Sequence, residues 1–327
     1  MSGVTAGANN ELLMLKPVIF QLPHFTLRGE SFGNPQGDVV LCLHGWLDNA
    51  ASFMPFLTAV NSTSKQVNSI DLVNKHYICI DWVGHGLSDH RGDDAHYHFL
   101  DYVYDLLQLF ELTQWKNVHI LAHSMGGMIA SAFTATFPEK VNTLTLIDTL
   151  GFITANAEET TTQLKKGLLS RLKLSRLKVS STHKLKANSV EDGAEKSEES
   201  NSAFSLETAI RARMHVSDLS FENTKLLIER SLLPVKEGFV WRSDKRLRTV
   251  SPYRYTLAQA KQLLSDIQVP VLLVYGSQGM KQVRDAMEEL LDCVVALKAE
   301  VLSGGHHVHM EQPERLAKLL SSFWREQ

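Results

Sequence analysis

Residues 118–130 read Val118-His-Ile-Leu-Ala-His-Ser-Met-Gly-Gly-Met-Ile-Ala130, and this segment is the strongest indication of the fold. An apolar run typical of a buried strand stops at a turn of small residues, and a helical pattern follows it. Ser124 stands at the turn, with Ala122 and Gly126 two positions away on either side. A sharp strand-to-helix turn exposes the serine hydroxyl, and larger neighbours would collide there. The pattern therefore predicts a nucleophilic serine at position 124.

Two earlier apolar runs also end in turns that contain glycine. Residues 39–43 lead into His44-Gly45-Trp46, and residues 77–81 lead into a loop that ends at Ser88. Gly45 allows the backbone to pass close to a reacting centre. The N–H groups of Trp46 and Met125 are therefore predicted to bind a developing oxyanion. His44 is expected to form a local hydrogen bond in the strand-to-loop turn. The loop from Asp81 to Ser88, which includes Gly84, His85 and Gly86, is expected to shape the rim of the pocket.

These three motifs, in this order and spacing, resemble the α/β-hydrolase fold family. Details within residues 44–49, 81–88 and 239–247 are similar to its subgroup of serine hydrolase-like proteins. The resemblance covers residues 20–155 and 240–327. It implies a mostly parallel central sheet flanked by helices, with a helical cap inserted after the sixth core strand. The alternation of apolar strands and helical patterns favours the same α/β architecture.

The resemblance also implies a histidine base near the end of the chain, with Glu five and Pro seven residues after it. Of the histidines at 306, 307 and 309, only His306 meets this spacing, through Glu311 and Pro313. A rival interpretation makes the three histidines a metal cluster, but no Asp or Cys shows matching spacing. We therefore assign no metal and no cofactor. His307 and His309 are expected to pack at the pocket edge.

The acid departs from the commonest pattern of the family, which places Asp three residues after the glycine that ends the seventh core strand. Here Gly276 is followed by Ser-Gln-Gly279. Some relatives carry the acid at the end of the sixth strand, where this chain has Asp148. Asp148 is thus the predicted partner of the second imidazole nitrogen of His306, and a capping role at the strand end is the alternative. Asp285, in an amphipathic run expected to face solvent, is the second choice.

A serine at the elbow suits attack on an acyl carbon, followed by hydrolysis of an acyl-enzyme on Ser124. The expected ligand is a small-molecule acyl substrate: a carboxylic ester first, then a thioester, lactone or amide. Two alternatives stay open at this point. One is a catalytically silent relative that binds a ligand or partner in the same pocket. The other is cofactor-free chemistry such as oxygenation or carbon–carbon bond cleavage.

Composition excludes several classes of protein. The chain has 327 residues, 21% of them charged, and a formal net charge of −3, so no basic footprint for nucleic acid is present. Cys42, Cys79 and Cys293 show no paired spacing, and no disulfide is expected. No apolar run reaches signal-peptide length or the roughly 20 residues of a membrane span. A cytoplasmic location is the resulting expectation.

The motif order predicts a hydrolase core in residues 1–152 and 256–327, which a cap at residues 153–255 interrupts. Residues 187–202 are strongly polar and are predicted to be a disordered linker.

Within the cap, residues 164–178 alternate leucine with lysine and arginine and contain no acid. Leu164, Leu168 and Leu172 fit a short helix packed over the pocket. Contact of this basic segment with an anionic membrane surface is the alternative.

Overall fold

A sheet of eight strands forms the centre of the protein, in the order β1-β2-β4-β3-β5-β6-β9-β10. The structure is a computed structural model that describes residues 14–63, 70–188 and 203–327. β7 and β8 form a separate antiparallel hairpin. The strands are β1 (Lys16–Gln21), β2 (Thr26–Gly33), β3 (Val39–Leu43), β4 (His76–Ile80), β5 (Val118–His123), β6 (Val141–Ile147), β7 (Leu232–Val235), β8 (Gly238–Trp241), β9 (Val271–Gly276) and β10 (Leu297–Leu302).

Six neighbouring strands of the sheet, from β4 to β10 in spatial order, run parallel, and β2 runs antiparallel to both of its neighbours. Every residue of β5 is buried, and β3 is buried from its second residue onward. Strands covered on both faces have to be apolar throughout, which explains their continuous aliphatic runs. The predicted α/β-hydrolase architecture, with a mostly parallel sheet, is confirmed.

Helices cover both faces of the sheet and bury two separate apolar cores. One core contains side chains of α3, α4 and α8, and the other contains side chains of α1 and α11. The helices are α1 (Met54–Thr63), α2 (Ile70–Val73), α3 (Phe99–Thr113), α4 (Met125–Thr136), α5 (Thr160–Asn188), α6 (Leu206–His215), α7 (Phe221–Ser231), α8 (Leu257–Ser265), α9 (Lys281–Leu290), α10 (Val308–Glu311) and α11 (Pro313–Arg325). The part of the chain described here has no helix long and apolar enough to cross a membrane.

Residues 153–255, hereafter the insertion, lie between β6 and β9, after the sixth strand of the chain. They contain α5, α6, α7, the β7–β8 hairpin and a short 3-10 helix at Lys245–Arg248. The segment is mostly helical, and the β7–β8 hairpin adds two short strands that the sequence did not predict. Treating the insertion as a cap domain of its own stays a prediction.

Helix α5 also differs from the short, packed helix that the leucine spacing predicts. It has 29 residues, and Leu164, Leu168 and Leu172 are 46%, 52% and 43% exposed. None of the three lines the cavity described below. The spacing identified a helix but could not tell which surface, if any, would cover its leucines. Of the predicted linker, residues 187 and 188 end α5, and residues 189–202 lie outside the described part of the chain.

Polar contacts join the insertion to the core. Arg230 of α7 forms ion pairs with Asp81, which is fully buried, at 2.9 Å and with Glu30 at 2.8 Å. The side-chain amide of Asn49 donates to the Leu227 carbonyl and to the Ser231 hydroxyl at 2.8 and 2.9 Å. Asp81 and Asn49 are fully buried, so these contacts tie α7 to β2 and to the segments that follow β3 and β4.

Candidate active site

Ser124 occupies the turn between β5 and α4. Its backbone angles are φ +50° and ψ −119°, a conformation that a residue with a side chain rarely adopts. Strain of this kind persists only where the surroundings impose it. A Cβ atom added to Gly126 would lie 2.4 Å from the Leu43 carbonyl oxygen, so no larger residue fits at that position. The small residues around Ser124 therefore permit the tight elbow that the sequence predicts.

His306 connects Ser124 to Asp148. Its Nε2 atom lies 2.9 Å from the Ser124 hydroxyl oxygen, and its Nδ1 atom lies 2.6 Å from Asp148 Oδ2. With a proton on Nδ1, the ring donates to the carboxylate and accepts the serine proton at Nε2. The structure thus brings together the three side chains predicted as nucleophile, base and acid, although they come from three separate loops.

Asp148 follows β6 directly and is only 1% exposed. The backbone N–H of Gly276 donates to Oδ1 at 3.1 Å, and the N–H of Met280 donates to Oδ2 at 3.0 Å. A Cβ atom on Gly279 would come within 2.1 Å of Oδ1. The loop after β9 lacks the usual acid, and its backbone instead forms a close-fitting site for the Asp148 carboxylate.

The two predicted oxyanion donors come from two different segments, the turn after β3 and the start of α4. Met125 begins α4, so its N–H is one of the first four of the helix, which have no partner within the helix. Trp46 lines the same cavity as Ser124, and Gly45 passes so close to His123 that an added Cβ would lie 2.9 Å from the ring. The oxyanion roles of Trp46 and Met125 and the supporting roles of Gly45 and Gly126 stay predictions.

A buried ionic network beside His306 was missed by the sequence reasoning. Asp48, almost fully buried, accepts from Arg213 of α6 at 2.6 Å and lies 3.2 Å from His307 Nε2. His307 Nδ1 lies 3.6 Å from Asp218 of the insertion. The only sequence signal was an acid within the turn at residues 44–49, next to residues expected to be buried. His307 does line the pocket, as expected, but as a member of this network.

The charges of this network determine its ionisation. Burial lowers the pKa of His307, but attraction to the Asp48 carboxylate, the nearby Asp218 carboxylate and the hydrogen bond to Asp48 outweigh burial and raise it to about 9. Burial would raise the pKa of Asp48, yet His307, His123 and Arg213 hold it well below its ordinary value. The nearby His307 ring and the hydrogen bond from the His306 N–H lower the pKa of Asp218 to about 2 against the opposing effect of its partial burial. At neutral pH, His307 is therefore a cation between two carboxylates.

Asp218 also contacts the loop that carries His306. Its Oδ2 atom accepts the backbone N–H of His306 at 2.8 Å. A Cβ atom on Gly305 would overlap the same carboxylate, so glycine is required where the loop approaches the insertion. The insertion thus fixes the backbone at the histidine that contacts Ser124.

His123 and His309 lie beneath the site and are fully buried. Burial and the neighbouring His306 lower the pKa of His123 to about 4, and burial and His123 lower that of His309 well below the ordinary value. Both rings are therefore neutral at neutral pH. His123 Nε2 donates to the His306 carbonyl at 3.0 Å, whereas neither nitrogen of His309 has a hydrogen-bond partner within the described residues. His309 lies behind the pocket, and it does not line the pocket edge as expected.

The described residues contain one group with the spacing of a metal site, formed by Asp48, His123 and His307, whose ligand atoms lie within 4.8 Å of one another. It is not the predicted alternative cluster of His306, His307 and His309. The Arg213 guanidinium binds the same carboxylate, and its Nη2 atom lies 3.5 Å from His307 Nε2. A metal ion would have to share this small space with a second cation, so the donor set fits an ionic network better than a metal.

Other residues singled out from the sequence have structural partners. His44 is fully buried, with Nδ1 2.7 Å from the Gly45 carbonyl oxygen and Nε2 accepting the Trp82 N–H at 3.0 Å, in keeping with the local role assigned to it. Asp285 pairs with Lys281 at 2.7 Å, and both side chains are exposed on α9. Its partner is therefore Lys281, and Asp148 occupies the position beside His306. Asp81 accepts from backbone N–H groups and from Arg230.

A cavity of about 940 Å³ contains the hydroxyl of Ser124 and the ring of His306 in its wall. The core contributes one side and the insertion contributes the other. The lining residues include Trp46 and Met280 from the core, and Arg213, Val216, Trp241 and Arg248 from the insertion. A cavity of this size accommodates a small ligand, and its walls are mostly apolar with a few charged groups.

The mostly parallel sheet, with Ser124, His306 and Asp148 together at one edge, is typical of the α/β-hydrolases, and comparison with known families supports this assignment. Residues 38–313 match the α/β-hydrolase fold family, and the chain belongs to that family. It is similar to the serine hydrolase-like protein of Danio rerio, at 29% identity over 315 residues, which cover 94% of this chain and 87% of that protein. The names of such relatives support hydrolase activity in general, without indicating a substrate.

Two solved structures resemble the whole chain. A hypothetical protein from Pseudomonas aeruginosa PAO1 is 32% identical, with a TM-score of 0.78 that covers 94% of this chain and 99% of that one. A thioesterase domain from the curacin biosynthetic pathway has a TM-score of 0.74 at 22% identity, over 94% of this chain and 99% of that domain. At that identity, the second likeness shows the fold alone.

Proposed function

We propose that this protein is a serine hydrolase that cleaves small acyl substrates, carboxylic esters first, through an acyl-enzyme on Ser124. The observation that carries the proposal is the position of His306, with one ring nitrogen 2.9 Å from the Ser124 hydroxyl and the other 2.6 Å from Asp148. This arrangement matches the roles of nucleophile, base and orienting acid.

The geometry assigns one step to each group. Ser124 Oγ attacks the acyl carbon while its proton moves to His306 Nε2, and the Asp148 carboxylate stabilises the imidazolium that forms. The carbonyl oxygen takes up negative charge, which the N–H groups of Met125 and Trp46 stabilise. His306 then gives the proton to the leaving alcohol. In the second half, His306 accepts a proton from water, whose oxygen attacks the acyl carbon. The bond to Ser124 Oγ then breaks, His306 returns the proton to that oxygen, and the free acid leaves.

The alternative of a silent binding relative was motivated by the missing acid after β9. The structure offers another acid, because Asp148, directly after β6, lies 2.6 Å from His306. Two backbone N–H groups of the segment after β9 donate to the Asp148 carboxylate. The missing acid is therefore a weaker argument for a silent protein. The cytoplasmic location and the membrane-surface contact through residues 164–178 stay predictions.

A fluorophosphonate probe tests the proposal directly. We expect covalent labelling of the wild-type protein at Ser124, located by mass spectrometry, and no labelling of Ser124→Ala. Ser217 lines the same cavity, so Ser217→Ala is the matched control and should retain the label. Folded wild-type protein that takes no label would overturn the proposal and favour a silent binding protein.

A further inference from the structure

Two arginines from the insertion line the cavity that contains Ser124. Arg213 comes from α6, and Arg248 ends the 3-10 helix that follows the β7–β8 hairpin. The two guanidinium groups are close enough to influence each other, since the charge of Arg213 lowers the pKa of Arg248 after the larger effect of partial burial. Like charges placed together in a cavity favour a ligand of opposite charge.

The two arginines differ in whether a carboxylate pairs with the guanidinium group. Arg213 is paired with the buried carboxylate of Asp48 at 2.6 Å. Within residues 14–63, 70–188 and 203–327, the Arg248 guanidinium forms no ion pair or hydrogen bond, and no carboxylate contributes to its ionisation. The wall of the same cavity includes the apolar side chains of Trp46, Trp241 and Met280. Arg248 is exposed to the cavity, and a guanidinium without a carboxylate partner forms charge-assisted hydrogen bonds when an anion binds it.

The carboxylates of the cavity wall do not supply that anion. Asp48 is shared between Arg213 and His307, and Asp218 pairs with His307 and with the His306 backbone. Because the pKa of His307 is raised to about 9, the charged groups of the wall leave one positive charge in excess at neutral pH. The positive charge without a negative partner is the guanidinium of Arg248.

We propose that Arg248, supported by Arg213, forms an anion subsite, and that the substrate is an ester or thioester that also carries a carboxylate or phosphate group. The inference rests on the proposed function, since Ser124 and His306 act on the acyl group in the same cavity. The guanidinium fork of Arg248 binds two oxygens of the anion and directs the scissile carbonyl toward Ser124.

Matched pairs of substrates test this subsite. The carboxylate pair is 4-nitrophenyl hydrogen glutarate and the neutral 4-nitrophenyl valerate. The phosphate pair is butyryl-coenzyme A and butyryl-N-acetylcysteamine. We expect the wild-type protein to show a higher kcat/KM for the charged member of one pair, and the pair that responds identifies the anion. A wild-type protein that hydrolyses the neutral members but prefers neither charged one would overturn the proposal.

The variant Arg248→Gln tests whether Arg248 causes the preference for the charged substrate. We expect it to lower the ratio of kcat/KM between the charged and neutral members by roughly 10- to 100-fold, the range for a lost hydrogen-bonded charge pair. Arg211→Gln is the matched control, because Arg211 is exposed on the same insertion and pairs with Glu207. A ratio that falls equally in both variants, or in neither, contradicts the assignment.

A binding measurement separates failure of this inference from failure of the proposed function. If Ser124 takes no fluorophosphonate label and no ester is cleaved, the hydrolase proposal fails, but the subsite can still be measured. Glutarate and coenzyme A are titrated calorimetrically into wild-type protein, Arg248→Gln and Arg211→Gln. We expect at least 10-fold weaker binding of one of these probes to Arg248→Gln alone. Equal affinity in all three proteins, or no binding to any, would overturn the subsite.

Discussion

Replacing His307 by glutamine should remove a pH-dependent part of the stability of this protein. An imidazole has an ordinary pKa of about 6.5 in an unfolded chain, and Asp48 and Asp218 raise the pKa of His307 to about 9 in the fold, against the effect of burial. Because the folded-state pKa is the higher one, the stabilisation is complete below pH 6.5 and is lost as pH rises through 9. The shift corresponds to about 3 kcal/mol in the free energy of unfolding.

The assay is urea unfolding of the wild-type protein and His307→Gln at intervals from pH 6 to pH 9.5. Glutamine retains hydrogen-bonding groups but carries no charge, so the difference in unfolding free energy between the two proteins should shrink by about 3 kcal/mol across this range. Comparing the two proteins cancels the titration of shared groups that are remote from His307. Arg213 and the rings of His306, His123 and His309 contact His307. The lowered pKa values of His123 and His309 keep both rings neutral from pH 6 to pH 9.5.

His24→Gln serves as the control, because His24 is exposed. Its difference from the wild-type protein should stay constant from pH 7.5 to pH 9.5. A constant difference for His307→Gln over the same range would refute the reasoning, since it would mean that His307 is neutral between the two carboxylates.

Three further variants test other contacts. Asp148→Asn should lower kcat roughly 10³- to 10⁴-fold, because an amide does not stabilise the imidazolium of His306. Asp285→Ala should leave ester hydrolysis unchanged, and a larger loss in Asp285→Ala than in Asp148→Asn would contradict the choice of acid. Arg230→Met leaves the buried Asp81 carboxylate without its cation. It should therefore reduce the unfolding free energy by about 3–5 kcal/mol, and a urea-unfolding loss below about 1 kcal/mol would contradict that expectation.

Local sequence was sufficient for the elements that carry the predicted site. The apolar runs before Trp46, Ser124 and Asp148 are buried strands because a parallel sheet covered on both faces requires continuous apolar residues. Since parallel strands end at the same edge of the sheet, residues that directly follow them meet in space. His306 was found through its spacing to Pro313, which begins α11. These inferences needed no knowledge of the insertion.

The ionic network could not be predicted in this way. Asp48, Arg213 and His307 are separated by long stretches of chain, and they meet only because α6 docks on the loop after β3. No periodicity or motif connects such positions. The leucines of α5 illustrate the same limit, because Leu168 has a helical spacing and is nevertheless 52% exposed. Periodicity identifies a helix, but its packing partner depends on tertiary docking.

The hydrogen bond from the His306 N–H to Asp218 has a consequence for protein engineering. A chimera in which residues 153–255 are exchanged for those of a relative would change the wall of the cavity. Unless the new segment places an acceptor where Asp218 stands, it would also leave a backbone N–H beside Ser124 without a partner. Changing the substrate range by exchanging this segment therefore also changes the conformation of the His306 loop. A grafted segment has to provide both a suitable cavity wall and an acceptor for the His306 N–H.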